Sequence, residues 1–365
     1  MAEKDLWENP FRDEIFQYLL NHGYVESDKA DYDYKHALDT RKLFDFLEAT
    51  QSKELEKFKA TYGGSYRQRY VDLLCKKIDD RGLLTALNEW VEDYASGTKF
   101  HLAYFKSGIE SMSESLELYE KNVFSVQREF SYEDKTDPYR VDLALFLNGI
   151  PVVMIELKKQ TAGQKAVFEG TKQFRTTRNP DELIFSFNRR TLVYFAMDEM
   201  VAFLTTRLDK KDTRFLPFNK GSEDEGAGNP VEPGKHCTYY VWEKILQRDM
   251  MLRIIREFMF VDDEGNMIFP RFHQLRAVLR CEKDVQKNGI GGRYLIWHSA
   301  GSGKTKTIAW LAKRLINHSD INTVIVISDR TVIDGQLGAE LMNVDGQKGV
   351  ARHIDTNSKD LLKRL

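Results

Sequence analysis

Residues 140–159 read RVDLALFLNGIPVVMIELKK, and this stretch decides the fold of the first half of the chain. Two apolar runs, VDLALFL and IPVVMIEL, flank Asn148-Gly149, a dipeptide suited to the left-handed backbone of a tight hairpin turn. Side chains alternate across a strand, so Glu156 and Lys158 project from one face with Met154, while Ile155 and Leu157 take the other. With a loop of three residues, Asn148 to Ile150, Asp142 falls opposite Glu156 at a Cβ separation of about 5 Å. Two carboxylates that close repel each other unless a cation lies between them, and Mg²⁺ with oxygen ligands meets that need. Lys158 beside them would orient or deprotonate a water and stabilise charge developing on a phosphoryl group, which is the chemistry of a metal-dependent phosphodiesterase. A strand with alternate charges is more often simply half exposed. Here the charges interrupt a strongly apolar run, where solvent is not expected.

Working outward, VFSVQREF (123–130) reads as a strand, 163–177 as a helix, and TLVYFAMD from Thr191 and VAFLTT from Val201 as further strands. Residues 1–118 instead carry apolar side chains at helical spacing, as in Leu43, Phe44, Phe46 and Leu47. The expectation is an α/β domain over 1–215, helical over 1–118 and with its sheet core over 119–215. NKGSEDEGAGNPVEPGK (219–235) has almost no apolar side chain to bury, which predicts a linker over 216–240. YYVWEKILQRDMMLRIIREFMF (239–260) predicts one long amphipathic helix, opening a second α/β domain over 241–365.

The balance of 54 basic against 56 acidic residues, net -2, excludes a global positive field, so any DNA contact must be local. Hydrophobic residues at 42%, with 22 Phe and 16 Tyr, exclude wholesale disorder. Cys75, Cys237 and Cys281 are too scattered for a disulfide framework or a zinc site. The charged start MAEKDLWENPFRDE lacks a signal core and no apolar run could span a bilayer, so a cytoplasmic protein is expected.

In the second half, 294–298 reads as a buried strand, followed by Ser299-Ala300-Gly301-Ser302-Gly303-Lys304-Thr305 and a helix. Gly301 and Gly303 let the backbone turn its N–H groups inward around Ser302, and the helix N-terminus adds partial positive charge there. Lys304 would meet the β and γ phosphates of ATP, and the Thr305 hydroxyl would ligate Mg²⁺. His298 stands where the strict phosphate-loop pattern has its first glycine. Upstream, Arg271 and Gln274 in FPRFHQLRAVLR precede a helix, and the Gln274 amide could read an adenine edge, although a Gln there is commonly a surface cap.

Taken in order, NVFSVQREF, RVDLALFLNGIPVVMIELK, FPRFHQLRAV, YLIWHSAGSGKT and VIVISDRTVIDGQL resemble the restriction (R) subunits of type I restriction-modification enzymes. The resemblance spans nearly the whole chain. It implies a PD-(D/E)xK nuclease-like mixed sheet with flanking helices, followed by the first part of a RecA-like superfamily 2 helicase domain. It places Asp142, Glu156 and Lys158 as catalytic acids and lysine, and Arg271 and Gln274 as the adenine motif. The family's helix carries Gln and, four residues on, Tyr; here Gln173 matches and Thr177 stands in the second place. Ser328-Asp329-Arg330 matches the next motor motif. The resemblance further implies double-stranded DNA as substrate, ATP-driven translocation, and modification and specificity subunits as partners. The later acidic motif and second-motor arginines of a complete motor are absent before Leu365, so the chain is expected to be the N-terminal part of a longer protein. Two rival readings stay open: a helicase-like ATP-binding fragment whose N-terminal sheet is a non-catalytic adaptor, and an inactive remnant that docks on partner subunits.

Overall fold

The structure, a computed structural model, describes residues 5–106, 113–136, 138–158, 166–221, 227–318, 321–328 and 338. The chain divides into two compact units, residues 1–259 and 260–365. The first contains α1 (Asp5–Asn21), β1 (Tyr24–Glu26), the short pair β2 (Tyr32–Asp33) and β3 (Leu38–Asp39), then α2 (Thr40–Thr50), α3 (Ser52–Tyr62), α4 (Tyr66–Arg81) and α5 (Leu83–Asn88). A hairpin of β4 (Trp90–Asp93) and β5 (Thr98–His101) and helix α6 (Ser113–Glu120) lead to β6 (Phe124–Ser131), β7 (Arg140–Leu147) and β8 (Ile150–Leu157). Helix α7 (Ala166–Thr176), β9 (Val193–Met197), β10 (Ala202–Thr205), β11 (Leu216–Pro217) and α8 (Arg248–Arg253) complete the unit.

Seven strands form one mixed sheet in the order β1-β6-β7-β8-β9-β10-β11. β1 pairs parallel to β6 and β8 parallel to β9, and the other neighbours are antiparallel. All eight residues of β8 are buried, which is why its sequence is nearly unbroken apolar: a central strand covered on both faces has no wet side. Helix α7 covers the face of Met154 and Tyr194, setting Phe174 edge-on to Tyr194 at 5.5 Å. Helix α1 covers the reverse face, where Arg128 stacks over Phe16 at 4.8 Å.

The hairpin differs from expectation in one respect. Leu147 pairs directly with Ile150, so the loop has two residues, not three, with Asn148 at φ 50° and Gly149 at φ 81°. Asn-Gly is the dipeptide that turn favours. The register then shifts by one between Leu145 and Phe146, leaving Val152 as an extra residue on β8. Pro151, with no N–H for the ladder, sits at this bulge. Beyond it Leu143 faces Ile155, so Asp142 still comes beside Glu156. The turn is anchored: Asn148 Nδ2 donates to Leu102 O at 2.8 Å and its Oδ1 accepts from Val123 N–H at 2.7 Å. A Cβ on Gly149 would stand 2.2 Å from Asp39 O. Gly149→Val, which meets that clash and the positive φ together, is expected to destabilise the chain by at least about 2 kcal/mol. An unchanged urea midpoint would reject this.

The two compact units fall at other bounds than the expected domains. The helical 1–118 segment is no separate layer, because β1 belongs to the main sheet. The expected linker is in part an edge of that sheet: β11 pairs with β10, Phe218 is fully buried, and Ala202 N–H donates to Asn219 Oδ1 at 2.9 Å. Backbone pairing and two aromatic side chains, Tyr239 and Tyr240, draw this polar stretch in. The expected long helix is interrupted at Gln247, whose extended backbone (ψ 144°) separates a π-helical turn, Val241–Ile245, from α8 and a second such turn, Ile254–Phe258. Tyr24 Oη donates to Leu246 O at 2.5 Å, tying this region to the first unit, which therefore reaches Met259.

The second unit contains the pair β12 (Phe260–Val261) and β13 (Met267–Ile268), then α9 (Phe272–Asn288) and α10 (Lys304–His318). The two helices pack together across a buried Glu282–Arg314 ion pair, with Trp310 wholly enclosed. The strand expected over 294–298 is not formed: Leu295 is 93% and Trp297 81% exposed. Residues 322–327 are likewise unpaired. An apolar run becomes a strand only where neighbours complete its ladder, and none does so among the described residues. Asp329 and Arg330 of the expected motor motif lie outside the described residues. Among those described, no helix is long and apolar enough to cross a membrane.

Candidate nuclease centre and phosphate loop

The strand ladder builds the first site. Across one face lie Asp142 on β7, Glu156 on β8 and Ala196 on β9, with Lys158 just past the end of β8. Asp142 Oδ2 accepts from Leu157 N–H at 2.7 Å, which locks that carboxylate against the neighbouring strand. Glu156 is 1% exposed. Burial, and then the Asp142 charge, push its pKa up to about 8, against the downward pull of Arg178 and Lys158. Gly170 brings α7 close over this row: a Cβ there would lie 3.3 Å from Ala196 Cβ and 3.5 Å from Lys158 Cγ. The three residues expected from the hairpin are thus brought together, and their charges act on one another.

Gln173 lies on α7, and its Oε1 is buried without a hydrogen-bond partner among the described residues. Thr177, in the place of the family's phenol, turns its hydroxyl back to Gln173 O at 2.8 Å and so caps the helix end. The next residue, which the sequence reading passed over, enters the site. Arg178 donates to Glu156 Oε1 through Nε at 3.0 Å and through Nη2 at 2.5 Å. Its only signal in the sequence is a cation shortly after a helix that must cover two buried acids.

The donor set fits a hard divalent cation: it offers oxygens, two adjacent carboxylates whose mutual repulsion a cation would relieve, and an amide oxygen on the covering helix with no partner among the described residues. Asp142 and Glu156 would hold it. No cluster of three or more His, Cys, Asp or Glu suited to a metal occurs among the described residues, so further ligands would come from water or substrate.

The raised pKa of Glu156 carries a sign for stability. Below about pH 4.5 the carboxyl is protonated in both the folded and unfolded chain and costs nothing. As pH rises towards about 8 the unfolded chain releases this proton while the folded one retains it, so stability from this group is lost across that window. Urea midpoints at pH 5 and pH 8 are expected to differ more in wild type than in Glu156→Gln; equal differences would reject the assignment.

The second site lies in the second unit. Gly301 (φ 72°) and Gly303 (φ 78°) curl the loop ahead of α10, with Ser302 buried and its Oγ without a partner among the described residues. Lys304 Nζ donates to His298 O at 3.1 Å and Ser299 O at 3.0 Å, which folds the lysine back over its own loop. Thr305 follows in the first turn of α10, half buried. Gln274 takes a structural post: its Oε1 accepts from Arg271 N–H at 2.9 Å and its Nε2 donates to Gly303 O at 3.0 Å. Arg271 begins this turn with a buried Nε that has no partner among the described residues. His273, which sequence reasoning did not single out, hydrogen-bonds through Nε2 to Ser302 O at 2.9 Å and packs edge-on to His298 at 4.8 Å. Consecutive side chains on α9 therefore clamp the loop that Lys304 and Thr305 close.

These observations define a two-part chain, an acid-bearing mixed α/β sheet followed by a glycine loop at a helix start. The family described as type I restriction enzyme R protein N terminus matches residues 12–213, over half of the chain, and the chain belongs to it. A second match, to the SWI2/SNF2 ATPase family, covers residues 273–365. A Methanocaldococcus jannaschii protein, proposed as the endonuclease subunit of type I restriction enzyme MjaVIIIP, is 24% identical over 67% of this chain and 23% of its own length. The type I restriction enzyme SauCOLORF180P endonuclease subunit of Staphylococcus aureus is 24% identical over 60% of this chain and 22% of its own. The HindI endonuclease subunit of Haemophilus influenzae is 25% identical over 54% and 19%. The chain thus spans about a quarter or less of the length of these relatives.

Proposed function

We propose that this chain forms the nuclease part and the beginning of the motor of a type I restriction enzyme R subunit. The nuclease part would be of the PD-(D/E)xK kind, cutting double-stranded DNA with Mg²⁺, and residues from 260 on would open a RecA-like, ATP-dependent translocase. The observation that carries this reading is the Asp142–Glu156 pair, held side by side on a buried sheet row with Lys158 at its end.

Asp142 and Glu156 would hold the ion from adjacent strands. Bound there, Mg²⁺ would supply an activated water and neutralise charge at the scissile phosphate. Lys158 would place its ammonium against negative charge building on the phosphoryl oxygens. Gln173, whose acceptor has no partner among the described residues, would orient a water or substrate donor from α7. In the second unit Lys304 would leave its two carbonyls for the β and γ phosphates of ATP, Thr305 would bind the accompanying Mg²⁺, and Arg271 and Gln274 would set the loop and approach the base. DNA would be brought to the centre together with modification and specificity subunits, which the relatives' class of enzyme calls for.

Plasmid nicking by the full chain with Mg²⁺, wild type against Glu156→Gln, tests the reading; equal activity would remove it. In that event the adaptor reading, a nucleotide-binding fragment without cutting, would stand.

A further inference from the structure

We infer that Arg178 is a positioning residue that holds the Glu156 carboxylate in the orientation a divalent cation needs; this rests on the nuclease reading above. Arg178 follows α7 directly and is 3% exposed. Two of its N–H groups, Nε and Nη2, converge on one oxygen, Glu156 Oε1. Two further donors go elsewhere: Nη1 to Tyr132 Oη at 3.2 Å and Nη2 also to Arg140 O at 2.5 Å.

Those partners sit at one level of the sheet. Tyr132 follows the last residue of β6, Arg140 begins β7 two residues before Asp142, and Glu156 is the penultimate residue of β8. One planar guanidinium therefore ties three strands together beside the acid row. Asp142 is fixed independently by Leu157 N–H. Each carboxylate thus has its own anchor, and the spacing between them depends on both. A lysine could supply the charge but not the planar, multiply directed donors. Because Tyr132 and the Arg140 carbonyl hold Arg178 as well, the arginine stays in place when Glu156 engages a cation, and acts as support for the carboxylate.

The geometry gives a direction for each substitution. Groups that orient a metal ligand typically account for about ten- to a hundred-fold in metal affinity. Calorimetric titration of the full chain with Mn²⁺, without DNA, is the measurement. Arg178→Gln is expected to weaken binding at least about ten-fold, with Arg178→Lys recovering only part of the loss. Binding by Arg178→Gln equal to or tighter than wild type would overturn the inference, and tighter binding would mean that the arginine competes with the cation. Glu156→Gln separates the two levels: if it binds Mn²⁺ as wild type does, the nuclease centre itself is misassigned and the inference falls with it. If it loses binding while Arg178→Gln does not, only the role of Arg178 falls. Should Arg178→Gln fail to fold by circular dichroism, Tyr132→Phe, which removes one support of the guanidinium, is expected to weaken Mn²⁺ binding measurably, and unchanged affinity there would overturn the inference.

Discussion

Replacing Glu156 by Gln is expected to lower Mg²⁺-dependent cleavage of plasmid DNA by roughly a hundred-fold or more, since even residues that merely orient a metal ligand account for up to that factor. The substitution keeps the size and one carbonyl oxygen but leaves no carboxyl that could ionise to hold a cation, in a position 1% exposed where no solvent can compensate. Asp142 would then face a neutral amide, leaving one carboxylate where the site has two. Arg178 keeps an oxygen to donate to, the Gln amide carbonyl, so the fold is expected to hold while the metal site does not. Fold and metal site separate in the assay. A folded variant with lost cleavage and lost Mn²⁺ binding supports the assignment, whereas a folded variant that nicks as fast as wild type removes it.

Lys304→Ala is expected to reduce ATP affinity by about 3 kcal/mol, more than a hundred-fold, because truncating one side of a hydrogen-bonded charge pair commonly costs 2–5 kcal/mol or more. The lysine is exposed and, among the described residues, hydrogen-bonds only the carbonyls of His298 and Ser299, so its removal should leave the unit folded. The loop itself is held by His273 and Gln274 from α9, independent of the lysine. Titration with a fluorescent ATP analogue checks this. Wild-type affinity in Lys304→Ala would mean that the glycine loop does not cradle phosphates in this chain.

The acid row and the glycine loop were legible for the same reason: each is local. Glu156 and Lys158 share a face because they are two apart on a strand, whatever else the chain does. The hairpin carried Asp142 to them even though its loop is one residue shorter than expected, because the bulge at Val152 restored the register. Arg178 was not legible. It lies 22 residues from Glu156, beyond α7, and only the packing of that helix over Lys158 and Ala196 swings its guanidinium onto Oε1.

The sequence alone determined the local periods: the alternating strands around Asn148-Gly149, the helical spacing of the N-terminal region, the glycine loop before Lys304, and so the residues that could carry chemistry. Only the tertiary structure decided where one unit stops and which apolar runs pair. Leu216–Pro217, at the start of the expected linker, joined the sheet because an open strand edge was there to receive them, while the apolar run at 294–298 found no strand partner among the described residues. Hydrogen-bond ladders and buried ion pairs need two partners distant in the chain, and a period read along one segment says nothing about the other.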